Sequence, residues 1–226
     1  ELPVFTTSSL PLYILKCSTP SISAMCPGCQ SLLIKPDFAC QCCGKPLVVD
    51  DVKNCGECMS SKPAFDTVIY ASLYQYPIDH WVHQLKFGGL LTAAQIMAES
   101  LIPHLDSIDT SIPMIPMPLH PTRLRKRGYN QATEIARIIA KIQNRPIIHH
   151  ALIRTKATQM QAELREKQRK ANVAGAFECP DKLNHERVLL VDDVLTTGQT
   201  LRAAAKTLKK AGIKEVIAVV FARSKG

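Results

Sequence analysis

Aromatic residues make up only 5% of this 226-residue chain, with a single tryptophan, and that scarcity excludes a broad platform for stacking many bases in succession. Long apolar runs are also missing. Lys, Pro or Asp interrupts each stretch before the roughly 18 residues that a membrane-spanning helix needs, so no such span is expected. The apolar run at 10–15 has no basic segment ahead of it, and the first residue is Glu, which argues against a signal peptide. No Ser/His/Asp set can be assembled: His149 and His150 stand near Pro146 without a neighbouring acid and read as surface or core residues. What is present in quantity is apolar side chain, 46% of the residues, enough to build at least one hydrophobic core. Trp81 shares a helical face with Ile78 and Leu85 and belongs in that core.

The net charge of +9 is unevenly distributed. Residues 1–66 carry 5 Lys/Arg against 6 Asp/Glu, whereas residues 67–226 carry 23 against 13. The basic part therefore suits an anionic partner, either a polyphosphorylated small molecule or a nucleic-acid backbone.

Cysteine is clustered in the opposite half. Eight of the nine fall between 17 and 58, and six of these form three CxxC pairs within 33 residues. Without a secretion signal, that pattern points to metal binding in a reducing cytoplasm. Cys40, Cys43, Cys55 and Cys58 form CxxCG, an 11-residue spacer and CGxC, the pattern of two knuckles that place four thiolates around one structural Zn²⁺ with no open coordination position. Such a metal contributes folding energy that a small Cys-, Pro- and Ser-rich module lacks. The set Cys26, Cys29, Cys40 and Cys43 has workable spacing as an alternative, and a second site using Cys26 and Cys29 stays open. Cys42 reads as a spectator and Cys179 as a small buried residue.

These features divide the chain into a zinc-ribbon module at 1–63 and a larger domain at 64–226. In the larger part TVIYASLY reads as a strand, IDHWVHQLKF and LTAAQIMAESLIPHL as helices, and IPMIPM as a strand. A helix follows from about Tyr129 to Gln143, and then a polar stretch from Thr155 to Lys170. The last third reads as strand RVLLV, loop DDVLTTG, helix QTLRAAAKTLKKAG and strand EVIAVVFAR. Strands alternating with helices imply an α/β fold, a doubly wound and mostly parallel sheet with helices on both faces.

Within it, VLLVDDVLTTGQTL (188–201) is a buried-strand run ending in two acids, and ligands of open α/β sheets collect at such carboxyl ends. Thr196, Thr197, Gly198, Gln199 and Thr200 supply hydroxyls and closely spaced backbone N–H groups at the start of a helix, which suits a phosphate. Asp192 and Asp193 cannot favour that phosphate, so ribose hydroxyls are their natural partners.

Over its entire length this run resembles the site for 5-phosphoribosyl-1-pyrophosphate (PRPP) in type I phosphoribosyltransferases. The resemblance implies Asp192 and Asp193 at the ribose hydroxyls, as the catalytic pair of an active enzyme. It puts Val194, Leu195, Thr196, Thr197, Gly198, Gln199 and Thr200 around the 5-phosphate. PMPLHPTRLRKRGYNQA (116–132), RTKATQMQAELREKQRKANVAGAF (154–177), HQLKFGG with Gln84, Lys86 and Phe87, and the Cys-rich front together resemble the competence protein F branch of that superfamily. The loop at 117–123 would lie beside the phosphate loop and hold pyrophosphate. Leu119, His120, Arg123 and Arg127 are its candidate contacts, with Arg suited to forked contacts with phosphate oxygens. Arg127, Gly128, Asn130 and Gln131 match the RG[FY]NQ run of the family. Gln161, Arg169 and Asn172 match positions in its flexible hood, whose closure would keep water from the activated ribose carbon.

Three functions follow from these expectations. A cytoplasmic competence factor would bind PRPP or a nucleotide 5-phosphate and handle single-stranded DNA with the competence machinery. An active enzyme would transfer phosphoribose from Mg²⁺-bound PRPP to a nitrogen nucleophile. A sensor would bind PRPP without turnover. No acceptor pocket is legible.

Overall fold

The computed structural model describes residues 25–156 and 175–225. Its strands are β1 (Thr67–Leu73), β2 (Met114–Pro116), β3 (Ile153–Arg154), β4 (Phe177–Glu178), β5 (Arg187–Leu195) and β6 (Glu215–Arg223). The helices are α1 (Pro27–Gln30), α2 (Gly56–Ser60), α3 (Ile78–Phe87), α4 (Thr92–Leu101), α5 (Pro121–Arg127), α6 (Gln131–Gln143) and α7 (Gln199–Lys210). Four strands form one parallel sheet in the order β1-β6-β5-β2. β3 and β4 pair separately as a short antiparallel ribbon.

The central strands β5 and β6 are apolar on both sides because both faces of the sheet are covered. Leu189, Val191, Ile217, Val219 and Phe221 pack with Ile78, Trp81 and Leu85 of α3, Ile96 and Met97 of α4, and Ile135 and Ile139 of α6. Val188, Leu190, Val216, Ala218 and Val220 pack on the other face with Leu201, Ala204, Ala205 and Leu208 of α7. Those four α7 positions recur at helical spacing, so the opposite side of α7 is left to its basic residues. Burying one such Leu or Val contributes about 1.5–3 kcal/mol.

Two boundaries differ from the sequence reading. β5 does not stop at Val191 but runs to Leu195, with Asp192, Val194 and Leu195 opposite Val220, Ala222 and Arg223 of β6. The ladder is made by backbone groups, so two acids can break an apolar run without ending a strand. The 117–123 segment also does not remain a loop: the chain turns into α5 at Pro121. Arg125, Lys126 and Arg127 then occupy the last turn of a helix and complement its dipole, where the sequence placed them ahead of a helix start.

The Cys-rich segment is fastened to the edge strand and the sheet end. Leu73 N–H donates to Ile34 O (2.8 Å), and Ile34 N–H donates to Ser72 Oγ (2.9 Å). Cys42 Sγ donates to Asp66 O (3.6 Å). Arg223, only 4% exposed, donates from Nε to Cys43 O (2.8 Å) and from Nη1 to Thr196 O (2.9 Å), tying a knuckle to the 196–200 loop. Gly44 takes φ +66°, and a Cβ there would lie 2.6 Å from Tyr70 Cε1 and 2.9 Å from Val68 Cγ1. Gly44→Ala is therefore expected to destabilise the metal-loaded protein by about 2–4 kcal/mol, combining backbone strain with overpacking. A urea midpoint unchanged from the parent would refute that packing.

Candidate functional site

The carboxyl end of β5 places two acids side by side but facing different surroundings, because successive strand side chains alternate. Asp193 is 3% exposed and lies on the α3 side, where Lys86 Nζ approaches Asp193 Oδ2 at 3.0 Å. Asp192 is half-buried and accepts the Asp193 N–H at Oδ1 (2.9 Å). Burial and then the neighbouring Asp193 carboxylate push the Asp192 carboxyl up to about 7, against the pull of Lys86, that N–H and Arg154. Burial alone would lower the Lys86 ammonium, but Asp193 and Asp192 outweigh it and hold it above its ordinary value. One member of the pair thus has a dedicated counter-charge. The other exchanges its proton near neutrality.

Beyond β5 the chain turns through Thr196 and Thr197 to Gly198, at φ +75°, which caps α7. The left-handed conformation at Gly198 lets the chain turn tightly into α7, with Thr197 and Thr200 flanking the helix start, a local sequence and backbone suited to an anion. Val194 and Leu195 stand in the strand, with Leu195 only 2% exposed, so the turn proper is 196–200. Its carbonyl side is braced by Arg223, which donates to Leu195 O (3.3 Å), to Thr196 O and to Ser224 O.

The basic side of the site comes from α5 and β3. Met117 N–H donates to Val191 O (2.8 Å), which holds the end of β2 against β5. Asn130 Nδ2 donates to Met117 O (2.9 Å), while Asn130 Oδ1 caps α6 through Ala132 N–H (3.1 Å). His120 caps α5 by accepting the Thr122 N–H at Nδ1 (3.3 Å), and Leu119 beside it is half-buried. Tyr129 donates to Leu85 O, and Arg127 donates to Gln131 and lies 5.6 Å over the Phe87 ring.

Arg123 is half-buried, and burial followed by Arg127 lowers its guanidinium. Arg154, 7% exposed and 5.4 Å over the Phe177 ring, is lowered by burial and then by Arg123, with Asp192 opposing. Arg154 therefore interacts electrostatically with both Arg123 and Asp192. Arg154 was not among the candidates read from the sequence, since nothing local distinguishes it from the other basic residues at 154–170. Gln161, Arg169 and Asn172 lie outside the described residues, as does Cys17.

The second cluster is made of sulfur. Cys40, Cys43, Cys55 and Cys58 are all buried, and their Sγ atoms lie within 4.8 Å of one another. Cys43 Sγ and Cys55 Sγ are 3.7 Å apart, close to the edge of about 3.8 Å that a tetrahedron with Zn–S near 2.3 Å requires and far from the roughly 2.05 Å of a disulfide. Burial, joined by the neighbouring sulfurs, pushes the Cys58 thiol up. Burial also tends to raise Cys40, but the backbone N–H groups of Cys43, Cys55 and Cys42 outweigh it and bring that thiol down to about 7. A divalent cation would resolve this crowding. The cluster could hold a metal, and its four soft donors suit zinc.

Cys26 and Cys29 are not brought to it. They belong to the other apolar cluster, where Cys26 Sγ caps α1 by accepting the Cys29 N–H (3.4 Å). Cys179, read as buried, is half-buried and donates to Asp181 O (3.2 Å).

A parallel sheet whose strand β5 carries an acid pair near its end, followed by a threonine-rich turn into α7, fits a phosphoribosyltransferase-type protein. A family model described as phosphoribosyl transferase domain matches residues 79–226, and the chain belongs to that family, in its competence protein F branch. Competence protein F of Haemophilus influenzae is 30% identical over 203 residues, covering 86% of this chain and 88% of that protein. DNA utilization protein YhgH of Escherichia coli is 26% identical over 198 residues, covering 85% and 87%. Competence protein ComFC of Bacillus subtilis is 26% identical over 197 residues, covering 83% and 79%. Among the described residues no helix is long and apolar enough to cross a membrane.

Proposed function

We propose that this chain binds PRPP or a nucleotide 5-phosphate at the end of β5 and acts in the cytoplasm in natural competence, in the uptake and handling of single-stranded DNA. The observation that carries the ribose-phosphate part is the acid pair followed by the Gly198 turn, with Arg123 and Arg154 in the same electrostatic field. The 196–200 turn takes the 5-phosphate, Asp192 accepts from a ribose hydroxyl, and Asp193 is kept in place by Lys86. Arg123, with Arg127, His120 and Leu119 near it, faces the pyrophosphate, and Gln161, Arg169 and Asn172 close over it. Zinc occupies the four-cysteine cluster of the 1–63 module as a structural ion. The competence role is supported by the relatives and by the basic surplus of residues 67–226.

The same acid pair favours a second reading, group transfer. The C1–O bond to pyrophosphate breaks, a C1–N bond forms to an acceptor, and the acceptor nitrogen gives up a proton. Mg²⁺ arriving on the pyrophosphate would neutralise part of the leaving charge. Arg123 and Arg154 then stabilise the remainder, and the carboxylates favour the cation-like ribose.

Calorimetric titration with PRPP and Mg²⁺ tests the shared first step. Binding by the parent, weakened at least about tenfold in an Asp192→Asn, Asp193→Asn chain, is the expected result. No heat of binding by the parent removes both readings. Pyrophosphate release with any of a set of nitrogen acceptors separates the enzyme from the sensor. Because an ionised Asp192 is a stronger acceptor for a hydroxyl than its neutral acid, affinity should rise as pH climbs from 6 to 8 through the value of about 7. Asp192→Asn should flatten that part of the profile; a parent profile identical to that of the variant speaks against the role of Asp192.

A further inference from the structure

A groove of about 1250 Å³ runs between the cysteine knuckles and α7. It exceeds the roughly 300–1,000 Å³ that a drug-sized ligand occupies. One wall is the polar side of α7, which presents Arg202, Lys206 and Lys210 at four-residue spacing. Arg202 also donates to Ser61 O (3.1 Å), which joins α7 to the end of α2. Lys45 and Lys62 lie on the opposite wall. Two carboxylates line the groove, and one of them, Glu57, is paired with Lys45 at 3.2 Å. The cationic surplus is therefore real but not tied to one small anion. Among the described residues the only aromatic in the lining is Phe177, which is 5% exposed, so the walls offer charge and no stacking face. These properties suit the phosphates of a flexible chain more than its bases.

One end of the groove settles what enters it. Thr196, Thr197 and Gln199, three residues of the anion turn, line the groove, whereas neither Asp192 nor Asp193 does. The groove thus reaches the turn from the side away from the acids. A chain of nucleotides following it would meet the turn with a phosphate, and only then reach the acid pair with the ribose beyond that phosphate. A ribose 3′-hydroxyl is free to donate to Asp192 only at the 3′ terminus of a strand.

We propose that groove and turn form one site for the 3′ end of a single nucleic-acid strand: the terminal nucleotide takes the ribose-phosphate position, its 5′-phosphodiester sits on the 196–200 turn, and the preceding phosphates follow the basic side of α7. The inference rests on the ribose-phosphate reading of that turn and names what else the site admits. A base-paired end is excluded because the terminal nucleotide must leave its partner to enter. A 3′-phosphate is disfavoured because it would stand against the Asp192 carboxylate, which has no counter-charge as close as the one Lys86 gives Asp193.

The test is fluorescence anisotropy of a 5′-labelled single strand of about 12 nucleotides, within the length that single-strand binding folds cover. The parent protein should bind the strand ending in a 3′-hydroxyl. PRPP with Mg²⁺ should displace it, and a 3′-phosphorylated copy should bind at least about tenfold more weakly. Lys206→Glu with Lys210→Glu, both on the polar side of α7, should weaken the strand at least about tenfold and reduce its salt slope by about 0.7 for each phosphate left unneutralised. PRPP binding by that variant should stay within about twofold of the parent, since neither lysine reaches the acid pair. Equal affinity for a 3′-phosphorylated, circular or fully duplex competitor, or a failure of PRPP to compete, overturns the inference. If PRPP itself does not bind the parent, the ribose-phosphate reading has failed. If PRPP binds and the strand is held without regard to its end, only the present inference has.

Discussion

A chain carrying Cys43→Ser and Cys58→Ser is expected to be isolated without zinc and with the knuckle region unfolded, whereas the parent is expected to carry one zinc per molecule in the four-cysteine cluster. The four sulfurs are themselves the interior of that region: all are buried, and what they share a cluster with belongs largely to the sheet and α7. Metal binding by small cysteine sites is worth about 10–16 kcal/mol at neutral pH, which is of the same order as the entire stability of a domain. The loss should extend beyond the knuckles, because Arg223 donates to Cys43 O as well as to Thr196 O. Metal analysis, thermal melting and proteolysis of residues near 36–62 read the outcome. Cys26→Ser with Cys29→Ser is the matched control and should leave the metal content unchanged. Retention of one zinc by the first variant, or its loss from the second, would place the ion elsewhere.

Lys86→Met should cost about 2–3 kcal/mol, somewhat less than a fully buried ion pair loses with one partner, because Asp193 is 3% exposed and pairs with Lys86 at 3.0 Å while the Lys86 side chain keeps 26% of its surface in solvent. It should also weaken PRPP by at least about tenfold, since an uncompensated Asp193 raises the cost of ionising Asp192 beside it. Adding Asp193→Asn to Lys86→Met separates the two effects. Stability should largely return, because no unpaired charge remains, while PRPP affinity should not. Denaturant midpoints and calorimetry on the four members of this cycle give the coupling directly. A Lys86→Met chain as stable as the parent would mean that the pair carries no net interaction.

The order of elements was legible because the signals were local. IDHWVHQLKF reads as a helix and is one, and EVIAVVFAR reads as a buried strand and is one. The acid pair and threonine turn were legible for the same reason, being contiguous in the chain. The partnerships were not. Lys86 meets Asp193 across more than a hundred residues, and Arg154 joins Arg123 and Asp192 only once β3 is placed. Arg223 looked like the end of a strand, and its two roles as a brace depend on backbone carbonyls, which carry no sequence signal. The ribbon of β3 and β4 carries no sequence signal because two residues per strand are too few to show a period. The overrun of β5 past Val191 is invisible to hydrophobicity, which marks what a strand buries, while the ladder ends where its backbone pairing ends.

The strand order has a consequence for how the molecule comes into being. β6 is the last of the described strands to be synthesised, yet it lies in the interior of the sheet, and β1 pairs with no strand of that sheet except β6. A chain still missing Glu215–Arg223 on the ribosome can dock β2 on β5, but its first strand has nowhere to go. Closing the sheet must therefore wait until β6 has been made, an arrangement of distant pairings that folds slowly and exposes strand edges meanwhile. The knuckle cysteines emerge long before that moment, so a nascent chain can take up its metal while Arg223, which later clasps Cys43, has yet to be translated.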